Sequence, residues 1–258
     1  MTVSGNRATP PGSLLDARSK PRLLDLFCGA GGAAVGYSRA GFEVVGVDNR
    51  PQPHYPFEFV QRDALEVLDE MISEWGDPDG RDPDFSAIHA SPPCQSFTAY
   101  RRKGHGVGDG YRDLIDPVRA LLVESGLPYV IENVPGAPLR WPVTLCGSMF
   151  DLHVRRHRLF ETNFLIDHLP VCSHKLQESK GKRFPGATNR EGRYTCEVGV
   201  YRIPLATQKE AMGVDWDVTL DELSEMVPPD YTQQIGLHLR AHLRDEETAR
   251  AVYAGAAE

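Results

Sequence analysis

The 258-residue sequence has only five cysteines and no apolar run close to the roughly 18 residues that span a membrane. An odd cysteine count without regular spacing argues against a disulfide scaffold and is typical of a reducing compartment. Cations are scarce, with 28 Lys and Arg against 36 Asp and Glu. A uniformly basic surface is therefore excluded, and phosphate binding must depend on local clusters. We expect a soluble, cytoplasmic protein without a membrane segment.

Short β-type runs alternate with helical patterns over residues 21–160. The strand patterns are Leu23–Phe27, Val44–Val47, Phe57–Val60, Phe85–Ala90 and Tyr129–Ile131. The helical patterns are Ala33–Ala40, Ala64–Trp75 and Leu114–Glu124. This alternation predicts an α/β domain with a mostly parallel sheet and helices on both faces.

The rest of the chain divides into three further segments. Residues 1–20 have no apolar periodicity, which predicts a disordered arm. Residues 161–205 are rich in Pro, Gly and polar side chains, which predicts a small irregular or β-rich lobe. Helical patterns return over residues 206–212, 220–226 and 231–243, so we expect residues 206–258 to pack back on the first domain.

A glycine-rich turn follows the first strand pattern. The segment Asp25–Gly32 has the strand, turn and helix order that lets a backbone approach a nucleotide-like ligand closely. Asp48 ends the next strand pattern, where a carboxylate can accept hydrogen bonds from ribose. Asp63 follows the third, where it can bind an adenine amino group. The turn also fits the dinucleotide fingerprint, so alone it leaves NAD enzymes and methyltransferases open.

Three further groups of residues predict the chemistry. Cys94 follows a buried strand and two prolines, which places its sulfur at the carboxyl edge of the sheet. Glu132 ends the next strand, and a raised pKa there would let it give a proton to a ring nitrogen while a thiolate adds to the ring. Arg156 and Arg158 share one face of an extended segment, suited to a carbonyl oxygen and a phosphate. The alternatives are a core cysteine, a structural glutamate and a solvated charge run.

The predicted lobe contains a basic stretch and several possible zinc ligands. Residues 175–193 contain six cations and only two acidic residues, Glu178 and Glu191. The cations are Lys175, Lys180, Lys182, Arg183, Arg190 and Arg193. Cys172, His174 and Cys196, with His168 nearby, are zinc-type donors. Their spacing matches no standard finger, so the sequence predicts no bound metal.

The ordered motifs resemble those of the cytosine-5 DNA methyltransferases, in particular small phage- or prokaryote-like members. The matching residues are Asp25–Gly32, Pro92–Gln95, Glu132–Val134 and Arg156-x-Arg158. The resemblance implies a Rossmann-like S-adenosylmethionine-dependent methyltransferase fold and a monomer that acts on double-stranded DNA in a prokaryotic or phage-infected cell. Cys94 would attack C6 of a flipped cytosine, Glu132 would contact N3 and the exocyclic amine, and Arg158 would contact O2.

The resemblance also implies which residues bind each partner, with Arg156 joining the catalytic set. The S-adenosylmethionine residues would be Asp25, Phe27, Cys28, Gly29, Ala30, Gly31, Gly32, Asp48, Asn49, Asp63, Ala64 and Pro92. The DNA-binding residues would be Gln95 and Ser96, then Arg101, Arg102 and Lys103 in a closing loop, and Lys182, Arg183, Arg190 and Arg193 in residues 161–205, which would form a target-recognition lobe. Two positions depart from the family pattern: Val154 replaces a usual glutamine, and Leu237 replaces an asparagine beside the cofactor.

Three other readings stay open at this point. The same chemistry could act on transfer RNA. A non-catalytic relative could retain the fold and bind DNA only. An NAD-dependent oxidoreductase would explain the glycine turn but leave the Pro-Pro-Cys-Gln and Glu-Asn-Val segments without a role.

Overall fold

The computed structural model describes residues 20–75, 84–94, 113–175 and 195–255. Its strands are β1 (Arg22–Leu26), β2 (Glu43–Asp48), β3 (Glu58–Gln61), β4 (Ala87–Ala90), β5 (Tyr129–Asn133), β6 (Val143–Leu145) and β7 (Arg158–Thr162). They form one seven-stranded sheet in the order β3-β2-β1-β4-β5-β7-β6. The first five strands run parallel, whereas β7 runs antiparallel to both β5 and β6.

Helices cover both faces of this sheet, as the sequence predicts. They are α1 (Gly32–Arg39), α2 (Ala64–Trp75), α3 (Ile115–Glu124), α4 (Leu205–Met212), α5 (Leu220–Glu225) and α6 (Pro229–Gly255). One core contains buried residues of α1 and α6, and a second contains those of α2 and α3. None of these helices is long and apolar enough to cross a membrane, within the ranges described.

The long helix α6 packs along α1 because both helices present small or apolar residues to each other. Tyr231, Ile235 and Leu239 recur at the helical spacing of four and are all fully buried. A Cβ on Gly36 of α1 would lie 2.0 Å from Thr232 Oγ1, so only glycine permits this approach. The C-terminal segment therefore supports the face of the sheet on which α1 lies.

The five predicted strands are present, with ends shifted by at most two residues. The antiparallel strands β6 and β7 were not predicted. β6 has only three residues, and β7 begins inside the arginine cluster, which gives it no alternating pattern. β7 also runs two residues beyond the predicted boundary at residue 160. No strand follows it in the described parts of residues 163–204.

A buried ion pair joins α3 to β7. Arg119 and Glu161 are 3% and 2% exposed, and Arg119 Nε and Nη2 donate to the two Glu161 oxygens at 2.7 and 2.8 Å. The backbone N–H of Arg140 donates to the same carboxylate at 2.7 Å. The pair thus fixes the antiparallel edge of the sheet to the parallel part.

Replacing Arg119 with methionine tests this role. We expect Arg119→Met to lower the free energy of unfolding by on the order of 3 kcal/mol, because Glu161 would be left buried and unpaired. Urea unfolding followed by circular dichroism measures the change. Arg62→Met is the matched control, since Arg62 makes an equally short bidentate pair with Glu70 on the exposed surface and should matter little. Equal losses in both variants would contradict the argument.

Candidate active site

The glycine turn between β1 and α1 has a strained backbone that opens onto the carboxyl edge of the sheet. Phe27, Gly29 and Gly31 all have positive φ, at 57°, 49° and 90°. A phenylalanine in this region costs about 1–3 kcal/mol, and such strain is concentrated at functional sites. A Cβ on Gly29 would meet no atom within 4 Å, so this position faces open space. The turn therefore leaves room for a ligand against its backbone.

Two side chains hold the turn in place. Asp48, at the end of β2, accepts hydrogen bonds from Gly29 N at 3.2 Å and Arg50 N at 2.9 Å. Trp216, in the C-terminal segment, donates its indole N–H to Ala30 O at 3.0 Å. Because each Asp48 oxygen has a further lone pair, this carboxylate can shape the turn and still accept from a ligand.

The predicted cofactor-binding residues that follow β2 and β3 differ in exposure. Asp63 is exposed, and its Oδ1 accepts from Leu65 N at 2.9 Å and Glu66 N at 3.3 Å. That oxygen thus caps α2. Asn49 is exposed, whereas Ala64 is buried at the start of α2.

Asp25 places an unusual carboxyl group beneath the turn. It is fully buried, and its Oδ1 has no hydrogen-bond partner among the described residues, while Tyr55 OH donates to Oδ2 at 3.4 Å. Burial raises the pKa of Asp25 to about 8, and the negative charges of Asp48 and Glu132 add to this shift. Asp25 is therefore mostly protonated at neutral pH, and its unpaired Oδ1 lies close to the carboxyl groups of Asp48 and Glu132.

The loop that carries Cys94 is fixed at the same edge. Ser91 N donates to Leu26 O, at the end of β1, at 3.1 Å. Asn133, at the end of β5, donates its amide N–H to Pro92 O at 2.9 Å. These two bonds tie the loop to strands on either side of β4, which leaves Cys94 half-buried beside the ends of both.

Glu132 and Arg158 form an ion pair next to Cys94. Arg158 Nε lies 3.0 Å from Glu132 Oε1, and the two side chains are 13% and 10% exposed. Burial raises the pKa of Glu132, whereas Arg158 and a hydrogen bond from Ser91 lower it. The contact with Oε1 is too angled for a hydrogen bond, so this oxygen can still bond to a substrate.

The thiol of Cys94 responds to the same charges. Burial raises its pKa, and Glu132 adds to that effect, while Arg158 and Arg156 oppose it. Loss of solvent around the partly buried Arg156 lowers the pKa of its guanidinium to about 9, and the charge of Arg158 adds to this shift. It donates to Ser224 O, and its Nε has no partner among the described residues. The four predicted catalytic side chains thus form one electrostatically coupled group.

A series of hydrogen-bonded polar side chains connects helix α1 to Glu132. Tyr37 OH lies 2.9 Å from His89 Nδ1, and His89 Nε2 lies 2.9 Å from Ser91 Oγ, which bonds to Glu132. Burial lowers the pKa of His89 to about 3, so the ring is neutral. This series orients Ser91 and therefore the Glu132 carboxyl group.

The structure brings most predicted catalytic and cofactor-binding residues together at one edge of the sheet. The predicted DNA-binding residues and Leu237 are the exceptions. The predicted DNA-binding residues lie outside the described residues; they are Gln95, Ser96, Arg101, Arg102, Lys103, Lys182, Arg183, Arg190 and Arg193. Gly236, beside Leu237, packs on Tyr37 and Ala40 near the end of α1, about 12 Å along that helix from Gly32. The expectation that Leu237 lies beside the cofactor is therefore not supported by this packing.

Sequence reasoning did not single out several residues that shape the site. They are Tyr37, Tyr55, His89, Ser91 and Trp216. Of these, only His89 carries a readable signal, since a histidine inside an otherwise apolar strand must find buried partners. Trp216 is distant in sequence, and only the tertiary packing brings it to Ala30.

Solved structures that share this fold are methyltransferases. A putative DNA modification methyltransferase encoded within an E. coli prophage has a TM-score of 0.55 at 16% identity, covering 87% of this chain and 99% of that one. S. pombe Dnmt2 methyltransferase has a TM-score of 0.54 at 13% identity, covering 86% and 98%. These likenesses show that the chain has the fold of the two methyltransferases.

Sequence comparison identifies the family. Residues 22–138 match the model of C-5 cytosine-specific DNA methylases. Type II methyltransferase M.HgiGI of Herpetosiphon aurantiacus is 34% identical over 127 residues, which is 46% of this chain and 94% of that protein. Type II methyltransferase M.AgeI of Thalassovita gelatinovora is 29% identical over 126 residues, which is 45% of this chain but only 28% of that protein. This chain belongs to the C-5 cytosine-specific DNA methylase family.

The raised pKa of Asp25 predicts how stability depends on pH. The pKa of Asp25 is about 8 in the folded chain, against 3.8 for an unperturbed aspartate such as that of the unfolded chain. Between these pH values folding takes up a proton, so the free energy of unfolding falls as the pH rises through this range. Asp25→Asn removes the effect. We expect the free energy of unfolding of the variant, relative to that of the wild type, to rise by about 1.4 kcal/mol per pH unit from about pH 5 to about pH 8.

Urea unfolding of the ligand-free protein across this range measures the difference. Asp69→Asn, which removes an exposed carboxylate from α2, controls for the loss of any one charge. If Asp25→Asn and the wild type kept a constant difference in stability, the Asp25 carboxyl would not be protonated in the folded chain.

Proposed function

We propose that this protein transfers a methyl group from S-adenosylmethionine to carbon 5 of cytosine in double-stranded DNA, with Cys94 as the nucleophile. The observation that carries this proposal is the coupled group of Cys94, Glu132, Arg156 and Arg158 beside the glycine turn. Carbon 5 of cytosine is a weak nucleophile until a thiolate adds at C6. This group contains the side chains that such an addition requires.

Each side chain has a distinct task in this chemistry. Cys94, as its thiolate, adds to C6, while Glu132 holds N3 and the exocyclic amine and supplies a proton to the ring. The raised pKa of Glu132 favours the protonated form that this step needs. Arg158 holds O2 and, together with Arg156, favours the thiolate. After transfer, loss of the C5 proton lets the ring expel Cys94.

The cleft fits S-adenosylmethionine on two observations. The open position at Gly29 gives space against the turn, and beneath the turn the buried Oδ1 of Asp25 has no hydrogen-bond partner among the described residues. Phe27 and the turn would hold the cofactor, with Asp48 at the ribose. When bound, the cofactor supplies a methyl group activated by its sulfonium charge.

Double-stranded DNA is the proposed substrate because relatives such as M.HgiGI are type II methyltransferases. A cytosine stacked in a duplex cannot reach Cys94, so the base must rotate out of the helix at a cost of a few kcal/mol. The basic segments Arg101–Lys103 and 182–193 would hold the phosphates. We further propose that the protein acts as a monomer in the cytoplasm of a bacterial or phage-infected cell.

Substitution of the nucleophile tests the proposal. We expect Cys94→Ser to lose more than about 1,000-fold in methyl transfer, because an alcohol is a far weaker nucleophile than a thiolate. Its affinity for S-adenosylmethionine should stay within about twofold of the wild type, since the turn is untouched. Transfer of a tritiated methyl group and calorimetric titration measure the two quantities.

Cys196→Ser, which removes a cysteine outside the site, should retain activity. Duplex DNA containing 5-fluorocytosine should trap a covalent complex with the wild type and with Cys196→Ser, but not with Cys94→Ser. Label that enters only transfer RNA would instead support the RNA reading. DNA binding without transfer at any cytosine, or full activity of Cys94→Ser, would contradict the proposed reaction.

A further inference from the structure

Four side chains from three separated parts of the chain converge beyond the catalytic cleft. They are Cys146, His157, Cys172 and His174. Each contributes one atom that can bind a metal, and these four atoms all lie within 4.8 Å of one another. We propose that these residues bind a structural Zn²⁺ ion. This inference does not depend on the proposed methyl transfer.

The distances agree with a tetrahedral metal site. Sulfur at about 2.3 Å and nitrogen at about 2.05 Å from zinc are about 3.6 Å apart at the tetrahedral angle. His174 Nε2 lies 3.5 Å from both Cys146 Sγ and Cys172 Sγ, and His157 Nε2 lies 3.6 Å from Cys172 Sγ. Both histidines present Nε2, and their rings are tilted by 61°. The three measured edges are therefore those that one zinc ion would produce.

The sheet itself positions two of the ligands. In the antiparallel pairing of β6 with β7, Leu145 lies opposite Arg158. Continuing this register by one residue places Cys146 opposite His157. Opposed residues of an antiparallel pair lie on the same face with Cβ atoms about 5 Å apart, so the strand register brings this sulfur and this imidazole together.

The remaining two ligands come from residues 172–174, outside the sheet. Cys172 and His174 lie just before residues 176–194, which are not described, and Cys172 is exposed. Ser148 Oγ lies 3.4 Å from the sulfurs of both Cys146 and Cys172. A hydroxyl so placed can donate to thiolate ligands, as outer-shell groups of zinc sites do.

The donor set selects the metal and its role. Two thiolates and two imidazoles in a tetrahedral arrangement favour zinc among common divalent ions. Four protein ligands leave no open position, so the ion would be structural. It would fasten the segment around Cys172 to the start of β7, beside Arg156 and Arg158.

This proposal replaces the sequence-based expectation of no metal. That expectation considered Cys172 and His174 together with Cys196 and His168. In the structure Cys196 Sγ donates to Glu197 O at 3.4 Å, and the side chain of His168 is 92% exposed. Their true partners, Cys146 and His157, come from the catalytic domain, and the strand pairing that unites them was not predicted.

Metal analysis of the untagged wild-type protein tests the proposal. After growth with added zinc and dialysis, we expect about one zinc per chain, and less than about a fifth of that in Cys172→Ser and His174→Ala. Cys196→Ser and His168→Ala are matched controls and should keep the wild-type content. Wild-type protein with less than about a fifth of an equivalent, or Cys172→Ser with a full equivalent, would overturn the proposal.

Two further measurements on the wild-type chain cover the case in which the variants do not fold. Cobalt-substituted protein should give the intense visible absorption and sulfur-to-metal charge transfer of a tetrahedral site with two thiolates; a weak octahedral spectrum would refute the assignment. Removal of the metal should speed amide exchange in residues 143–175 but not in β1 or β2. A Cys146–Cys172 disulfide, seen as a loss of two hydrogens in the mass of freshly isolated protein, would also refute it.

Discussion

The ion pair between Glu132 and Arg158 is the interaction on which the site depends. It joins the end of the last parallel strand, β5, to the start of the antiparallel strand β7, with Arg158 Nε 3.0 Å from Glu132 Oε1. Without a cation there, Glu132 would be a buried, uncompensated acid at the edge of an apolar sheet. With it, the carboxyl keeps an oxygen for a substrate, and Cys94 gains a positive neighbour. Antiparallel β7 thus contributes a side chain to the candidate site as well as to the sheet.

The same cleft contains carboxyl groups from the parallel strands and two arginines from the start of β7 and the residues before it. Asp25, Asp48 and Glu132 come from the carboxyl ends of β1, β2 and β5, and burial raises the pKa of Asp25 to about 8. The only described cations that oppose them near Cys94 are Arg156 and Arg158. The acidic half, under the glycine turn, has carboxyl oxygens that can accept hydrogen bonds from a ligand. The basic half suits an electron-rich ring oxygen and the developing thiolate.

The sequence predicted the parts of the fold that depend on local patterns. Apolar runs and glycine turns located β1 to β5 within two residues, and strand ends located Cys94 and Glu132 at one edge because parallel strands end together. Asp25 was assigned to the cofactor, but its protonation depends on burial among Tyr55, Asp48 and Glu132, which lie far apart in the chain. Such effects have no local pattern to read.

The strand β7 shows most clearly why the remainder could not be predicted. Successive residues of an extended segment point to opposite sides, so Arg158 can reach Glu132 while His157 reaches Cys172. As a sequence, this stretch is only a run of cations with one histidine. The contacts of its side chains depend on which strands it pairs with. Pairing with β5 brings Glu132 near Arg158, and pairing with β6 brings Cys146 near His157. A short segment between two partner strands thereby lies between the Glu132–Arg158 ion pair on one side and the thiol–imidazole cluster on the other.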